Sequence, residues 1–227
     1  MRMRHKPWAV PELSACPYFV QEPAQWKGRW QEWFPRRQPL HVELGCGKGT
    51  FLAELACRHP DVNYLGIDLS RDVLAVARRN IEARYAQEAR PVENIALTAH
   101  HIERILEILD AGDPVERLYI NFCNPWPRGK HQKKRLTHTR QLETYRTFLQ
   151  DGARLHFKTD DDGLFLSTLR YLREAGWELL WQTKDLHRAE DARDWQEAIS
   201  TEHEDRFTEE GIPIKALVAR YRKASAT

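Results

Sequence analysis

A glycine loop followed by an acid forms the first pattern in this chain that could bind a ligand. The stretch ELGCGKG at residues 43–49 contains Gly45, Gly47 and Gly49, and Asp68 follows 19 residues after the last of them. Glycines allow a tight turn and a close approach of backbone to ligand, and an acid at the end of the next strand can accept hydrogen bonds from ribose hydroxyls. The combination predicts a site for a cofactor that contains adenosine.

The glycine spacing favours one class of cofactor over another. A nicotinamide site prefers G-x-G-x-x-G, where the following helix binds a pyrophosphate. This loop reads G-x-G-x-G and is preceded by Glu43. An acid repels a pyrophosphate but suits an ammonium group. Because S-adenosylmethionine carries an ammonium and a sulfonium and no phosphate, the loop favours a methyl donor over a dinucleotide.

A second pattern, NFCNPWPRGKHQKKRLTHT, occupies residues 121–139. Pro125 and Pro127 restrict the backbone, and Trp126 offers a flat face on which a nucleobase can stack. The run that follows contains no acid, and its side chains suit the phosphates of a nucleic acid. They are Arg128, Lys130, His131, Lys133, Lys134 and Arg135. The pattern predicts a base platform joined to a phosphate-binding segment; the alternative is a proline-rich turn capped by a core tryptophan.

Composition and charge narrow the class of protein. The 227 residues are 41% hydrophobic, which is typical of one folded α/β domain. The net charge of +2 conceals +4 over residues 1–40, +6 over residues 128–140 and −7 over residues 185–210. Two basic segments indicate a polyanionic partner, although each could be an ordinary solvated surface.

Several patterns are missing from the sequence. No apolar run approaches the length of a membrane helix, and the stretch MRMRHKPWAV has no apolar segment behind it. The four cysteines form no C-x-x-C pair, and no Cys or His residues stand at metal-ligand spacing. We therefore predict a cytoplasmic protein with reduced thiols and no metal, and either a monomer or a homodimer.

Strand patterns alternate with helix patterns along the chain. The predicted strands cover residues 40–44, 63–67, 95–99, 115–122, 154–159, 177–181 and 214–221. This alternation predicts an α/β fold with a mainly parallel seven-stranded sheet and helices on both faces. Ligands of such sheets lie beyond the carboxyl ends of the strands, where Asp68, Asn124 and Asp160 would lie.

The chain is predicted to divide at residue 40. Residues 40–227 would form a single domain, and residues 1–39 a basic arm followed by a tryptophan-rich helix. The near-helical spacing of Trp26, Trp30 and Trp33 indicates that they are packing residues rather than base stackers.

Taken together, the motifs resemble those of the bacterial tRNA (guanine-N7-)-methyltransferases. The resemblance extends over nearly the whole chain and rests on MRMRHKPWA, HVELGCGKGTF, NYLGID, LYINFCNPWPRGKHQKKRLT, LHFKTDDDGLF and TEHEDRFTEEGIPI. It implies a class I Rossmann-like methyltransferase fold and S-adenosylmethionine as the donor. It also implies transfer of a methyl group to N7 of a guanosine in the tRNA variable loop.

The resemblance implies roles for individual residues near the cofactor and at the N-terminus. Glu43 and Asp68, with the glycines between them, would hold the cofactor. His101 falls nearest the position at which the family's third strand is followed by an acid. Arg2 and Arg4, with Lys6, would form a tRNA-binding arm.

On the substrate side, the resemblance makes Asp160 a contact of the target base. A carboxylate can accept hydrogen bonds from both N1–H and N2–H of guanine. Thr201 and Glu204 would recognise guanine, in a stretch where His203 replaces the family's tyrosine.

Asn124 stands where the family usually has an aspartate that is treated as catalytic. Guanine N7 has a free lone pair, so no proton must be removed and positioning can supply much of the rate. The base becomes cationic as the bond forms, and asparagine carries no charge to stabilise it. We expect Asn124 to position the base or the cofactor, and Asp160 and Glu204 to supply negative charge.

Two other functions stay open at this stage. Asn-Pro-Trp-Pro is similar to the Asn/Asp-Pro-Pro-aromatic motif of amino-group methyltransferases, although the order of Trp126 and Pro127 differs and the basic run suits a folded RNA. A non-catalytic tRNA-binding homologue is the second alternative, and the complete cofactor loop argues against it.

Overall fold

The computed structural model describes residues 6–189 and 199–223. The chain divides into two compact units, residues 1–113 and residues 114–227. Among the described residues, no helix is long and apolar enough to cross a membrane.

From residue 6 onward, the first unit contains four parallel strands and three α-helices. The strands are β1 (Phe19–Val20), β2 (Leu40–Leu44), β3 (Asn63–Asp68) and β4 (Ile95–Ala99), in the order β1-β4-β3-β2. The helices are α1 (Ala9–Ser14), α2 (Thr50–Arg58) and α3 (Arg71–Gln87). Every residue of β2 is buried, as expected for a central parallel strand. Ser70 caps α3, because its hydroxyl accepts a hydrogen bond from the Val73 N–H.

The second unit contains a mixed set of strands in the order β5-β6-β8-β7. The strands are β5 (Val115–Asn121), β6 (Leu149–Thr159), β7 (Glu178–Thr183) and β8 (Lys215–Arg220). Strands β5 and β6 are parallel, whereas β8 is antiparallel to both β6 and β7. The helices are α4 (Thr139–Tyr145), α5 (Asp162–Glu174) and α6 (Glu202–Glu209).

The α/β class is confirmed, and the strand count differs by one. The described residues contain eight strands, and the additional one is β1. It has two residues, too few for a periodic pattern, and is defined by its pairing of Phe19 with Leu97 and of Val20 with Thr98.

The prediction of a tryptophan-rich helix is wrong. The chain instead forms two short 3₁₀ helices, Pro23–Trp26 and Trp30–Glu32. Gly28 lies between them with φ +76°, a left-handed conformation that interrupts a right-handed helix. The packing role is confirmed for Trp30, which is fully buried and donates its indole N–H to the Ile108 carbonyl at 2.7 Å.

Asp113 holds the segment around Gly28 in place. Its buried carboxylate accepts backbone N–H groups from Gly28 at 2.6 Å, Trp30 at 2.9 Å and Asp110 at 3.2 Å. A buried backbone amide without a hydrogen-bond partner is energetically costly. The Asp113 carboxylate is the partner of three backbone amides that lie outside the strands.

Replacement of Asp113 by alanine is expected to lower the free energy of unfolding by about 3 kcal/mol, because it leaves three backbone N–H groups unpaired. Urea unfolding measures the change. The matched control is Asp61→Ala at an exposed position, which should change the free energy by less than about 0.5 kcal/mol. Equal midpoints for the two variants would contradict the role of Asp113.

Candidate active site

The glycine loop lies in the first unit, between β2 and α2. Gly45, Gly47 and Gly49 have φ values of +81°, +54° and +70°, which favour glycine. The loop also lies close to α3, because a Cβ on Gly49 would come within 2.8 Å of the Ala77 Cβ. The Gly45 N–H donates to the Ile67 carbonyl at 2.8 Å. The glycines therefore allow both the turn and its packing.

Asp68 lies at the end of β3 and is bound to this loop. One carboxylate oxygen accepts the Gly47 N–H at 3.1 Å, and the other accepts the Ser70 N–H at 2.9 Å. A carboxylate has about four lone-pair directions, so each oxygen retains capacity for a further donor. Leu69 follows with 58% of its surface exposed. Leu69 was not singled out from the sequence, because residue type does not reveal that an apolar side chain is exposed.

Two further predicted cofactor residues, Glu43 and His101, lie in the same unit, whereas Asn124 belongs to the second unit. Glu43 is on β2 and 3% exposed. His101 is exposed and directly precedes the 3₁₀ helix Ile102–Glu107. The ring Nε2 of its neighbour His100 lies 3.1 Å from the Arg104 carbonyl, within the same segment. The described residues contain no group of three or more His, Cys, Asp or Glu side chains that could hold a metal ion.

The predicted arm falls partly outside the described residues. Arg2 and Arg4 lie there, and Lys6 is the first described position. The Lys6 backbone N–H donates to the Asp72 carboxylate at 2.9 Å. The Arg79 guanidinium lies 3.7 Å from the centroid of the Trp8 ring, so a cation–π contact joins this segment to α3.

In the second unit, the chain turns sharply after β5. Phe122 and Trp126 have positive φ values, +50° and +43°, which are unusual for residues with large side chains. The Asn124 side-chain oxygen accepts the Trp126 N–H at 3.0 Å and closes a local turn. Asn124 itself is exposed. Its side-chain oxygen thus stabilises the turn, and an aspartate oxygen could accept the same hydrogen bond.

The basic segment after the turn forms the 3₁₀ helix Gly129–Lys134, in which no residue is buried. Two of its side chains lie beside the Trp126 ring: the Lys134 ammonium is 5.2 Å from the centroid, and the His131 ring is 5.8 Å away. Arg128, Lys130 and Lys133 are exposed. The helix therefore presents these charges where a polyanion can reach them.

Arg135 departs from the predicted role of a phosphate contact. It is 5% exposed, whereas a phosphate contact requires an accessible guanidinium. Its Nε donates to the Pro125 carbonyl at 2.7 Å, and Nη2 lies 3.4 Å from the Trp126 carbonyl. A run of charges in a sequence does not reveal which member turns inward, and here the backbone carbonyls of the turn attract the last one.

Asp160 follows β6, the neighbour of β5. Its backbone carbonyl accepts the Lys215 ammonium at 2.9 Å. Its carboxylate has no hydrogen-bond or ion-pair partner within residues 6–189 and 199–223, in contrast to Asp161, which caps α5 through the Leu164 N–H. Asp160 therefore retains its hydrogen-bonding capacity for a ligand.

Two cysteines beside these loops are kept protonated. Burial, reinforced by the charges of Asp68 and Glu43, raises the pKa of Cys46 well above its ordinary value. Burial, with a smaller contribution from Asp160, raises the pKa of Cys123 to about 12. Because the thiolate is the nucleophilic form, neither cysteine suits covalent catalysis at neutral pH.

Thr201 and Glu204 lie at the start of α6. The Thr201 hydroxyl accepts the Glu204 N–H at 3.1 Å. Glu204 is 3% exposed, and its carboxylate forms an ion pair with the fully buried Lys158. Lys158 also donates to the Ile199 carbonyl at 3.1 Å, and the His187 Nε2 lies 3.3 Å from the second Glu204 oxygen. The charge of Glu204 is thus already matched inside the protein.

Comparison with known proteins places these features in a family. A family described as "Putative methyltransferase" matches residues 37–217. The tRNA (guanine-N(7)-)-methyltransferase of Clostridium beijerinckii is 51% identical over 96% of this chain and 98% of its own length. The enzyme of the same name from Ruminiclostridium cellulolyticum is 48% identical over 98% of this chain and 93% of its own.

Among solved structures, the chain is similar to the 16S rRNA methyltransferase KamB, with a TM-score of 0.57 and 15% identity over 82% of this chain and 89% of that one. An antibiotic-related methyltransferase has a TM-score of 0.56 and 13% identity over 98% and 97%. At such identities the similarity concerns the fold, which is the Rossmann-like fold of methyltransferases.

Substitutions of Lys158 and Glu204 are expected to have strongly non-additive effects on the free energy of unfolding. Lys158→Met leaves a buried carboxylate without its cation and should cost about 3–5 kcal/mol, whereas Lys158→Met combined with Glu204→Leu should cost less than that single change. Urea unfolding of the four proteins in this double-mutant cycle gives the coupling.

The control pair is Arg206 and Glu210 at the C-terminal end of α6, whose side chains are 67% and 45% exposed. Its coupling should be far smaller, because solvent screens exposed charges. Additive effects at Lys158 and Glu204 would contradict the prediction.

Proposed function

The chain belongs to the family of tRNA (guanine-N(7)-)-methyltransferases, and from this membership we propose that it methylates a guanosine in the variable loop of tRNA. It is a transferase that uses S-adenosylmethionine and methylates N7 of guanine. The observation that carries the assignment is identity of 41–51% to enzymes of this name over nearly the whole chain. Its tRNA substrate makes the cytoplasm the proposed compartment.

The first unit is proposed to hold the donor. Asp68 would accept the ribose hydroxyls, since each of its oxygens keeps capacity beyond one backbone amide. Leu69 would pack on the adenine, with His101 nearby, and Glu43 would lie near the ammonium of the methionine moiety. Gly45, Gly47 and Gly49 would let the backbone approach the cofactor, which lacks the phosphates of a dinucleotide.

The second unit is proposed to bind the acceptor. Asp160, whose carboxylate has no partner among the described side chains, would accept guanine N1–H and N2–H, a pair of donors that no other standard base presents together. Trp126 would support the base. The accessible side chains of Arg128, Lys130, His131, Lys133 and Lys134 would bind phosphates on either side of the target nucleotide. Thr201 and Glu204 are proposed to shape the guanine site from α6.

The proposed reaction requires the protein to position two substrates and to stabilise a positive charge. S-adenosylmethionine would supply a methyl group whose bond to sulfur breaks as its bond to N7 forms, so that S-adenosylhomocysteine would be released and the guanine would become cationic. No proton moves at N7. Because Glu204 is paired with Lys158, the uncompensated negative charge that would stabilise the cationic base falls on Asp160. Asn124 would contribute by fixing Trp126 through its turn.

The target atom can be tested with two tRNA transcripts. One is unmodified, and the other carries 7-deazaguanosine at the variable-loop guanosine. With radiolabelled S-adenosylmethionine, methyl incorporation is expected in the first transcript only, because the second lacks N7. Equal incorporation in both would assign another atom, such as an exocyclic amine. Tight tRNA binding without incorporation would indicate a binding protein that does not catalyse the reaction.

Two substitutions of Asn124 distinguish a positioning role of this side chain from an effect of its charge. Asn124→Ala removes the acceptor of the Trp126 N–H and is expected to lower the single-turnover rate by about tenfold, the equivalent of one good hydrogen bond. Asn124→Asp retains that acceptor and should keep the rate or raise it. Rates at saturating tRNA and cofactor provide the comparison. An alanine variant as fast as the wild type would refute the role.

A further inference from the structure

One cation of the basic segment differs from the rest in its surroundings. Arg128, Lys130, Lys133 and Lys134 are exposed, and Arg135 is 5% exposed. A buried guanidinium must find acceptors for its N–H groups, because their desolvation is otherwise uncompensated. The partners of Arg135 therefore indicate its role.

Two of its three partners belong to the turn that carries Trp126. Arg135 donates from Nε to the Pro125 carbonyl at 2.7 Å, from Nη2 to the Trp126 carbonyl at 3.4 Å, and from Nη1 to the Tyr171 hydroxyl at 3.4 Å. The two carbonyls are consecutive, and a guanidinium presents its donors in a rigid planar fork that can serve both. Tyr171, on α5, anchors the other side of the guanidinium.

The turn needs such support. Trp126 has φ +43°, a conformation that a tryptophan keeps only when its surroundings enforce it. Asn124 supplies one restraint by accepting the Trp126 N–H. Arg135 supplies the second, because it binds the carbonyl of the same residue and the carbonyl of the residue before it.

We propose that Arg135 is a positioning residue that holds the Pro125–Trp126 backbone so that the tryptophan supports the target guanine, and that it makes no phosphate contact. This proposal rests on the proposed function. Arg135, the last cation of the basic segment, would thus maintain the geometry of the base site. Its exposed neighbours would bind the phosphates of the RNA.

Two measurements distinguish positioning from phosphate binding. The first is the single-turnover methylation rate at saturating tRNA and cofactor. The second is the slope of log K for tRNA binding against log salt concentration, whose magnitude decreases by about 0.7–0.9 for each phosphate that a variant no longer binds. A residue that only holds the turn changes the rate and leaves this slope unaltered.

Arg135→Met is expected to lower the single-turnover rate by about 10- to 100-fold, the cost of a misplaced reacting group, while its salt slope equals that of the wild type. Lys133→Met, the matched change at an exposed position, should reduce the slope by about one phosphate contact. Arg135→Lys should recover part of the rate, because an ammonium can still reach one carbonyl but does not form the planar fork.

Calorimetric titration with S-adenosylmethionine checks that each variant is folded. If Arg135→Met fails this check, Arg135→Lys and Tyr171→Phe carry the test, and both should lower the rate without altering the slope. A reduced slope in the Arg135 variants, or a rate equal to that of the wild type, would overturn the proposal. A wild-type protein that does not methylate the unmodified transcript would instead refute the proposed function.

Discussion

Loops that follow β-strands contain backbone N–H and C=O groups that do not pair with a neighbouring strand. Burying such groups without a hydrogen-bond partner costs free energy. In this protein, side chains near the strand ends bind them. Asp68, at the end of β3, accepts the N–H groups of Ser70 and of Gly47 in the loop after β2, and Asn124 accepts that of Trp126 after β5. Arg135 covers carbonyls in the second of these loops. The conformation of both candidate ligand loops depends on this side-chain pairing.

The same arrangement prepares the loops for ligands. A loop held by its own side chains does not have to reorganise when charge develops in a reaction, which is the basis of electrostatic preorganisation. Asp68 binds two amides and keeps lone pairs for hydroxyl donors. Asp160 differs from its neighbour: Asp161 caps α5, whereas the Asp160 carboxylate has no partner among the described residues. In the proposed function, Asp160 is the acid of this loop that faces the substrate.

Local patterns predicted the parts of the structure that local forces determine. The glycine loop and Asp68 were recognisable because their conformation and position follow from residue type and strand order. The features that depend on tertiary contacts were not. Gly28 breaks the tryptophan pattern because Asp113, far away in sequence, binds its N–H. The inward turn of Arg135 depends on carbonyls ten residues earlier and on Tyr171. Charge periodicity contains no information about either contact.

Asparagine at position 124 is compatible with the proposed chemistry, because the oxygen that accepts the Trp126 N–H is present in asparagine and in aspartate alike. An aspartate at 124 would keep the same acceptor and would add a second negative charge that helps to stabilise the cationic base. Methyl transfer to N7 removes no proton, so the reaction needs one stabilising charge and a fixed base rather than a pair of carboxylates. Asparagine keeps the acceptor that fixes Trp126, and in the proposed function the stabilising charge is that of Asp160.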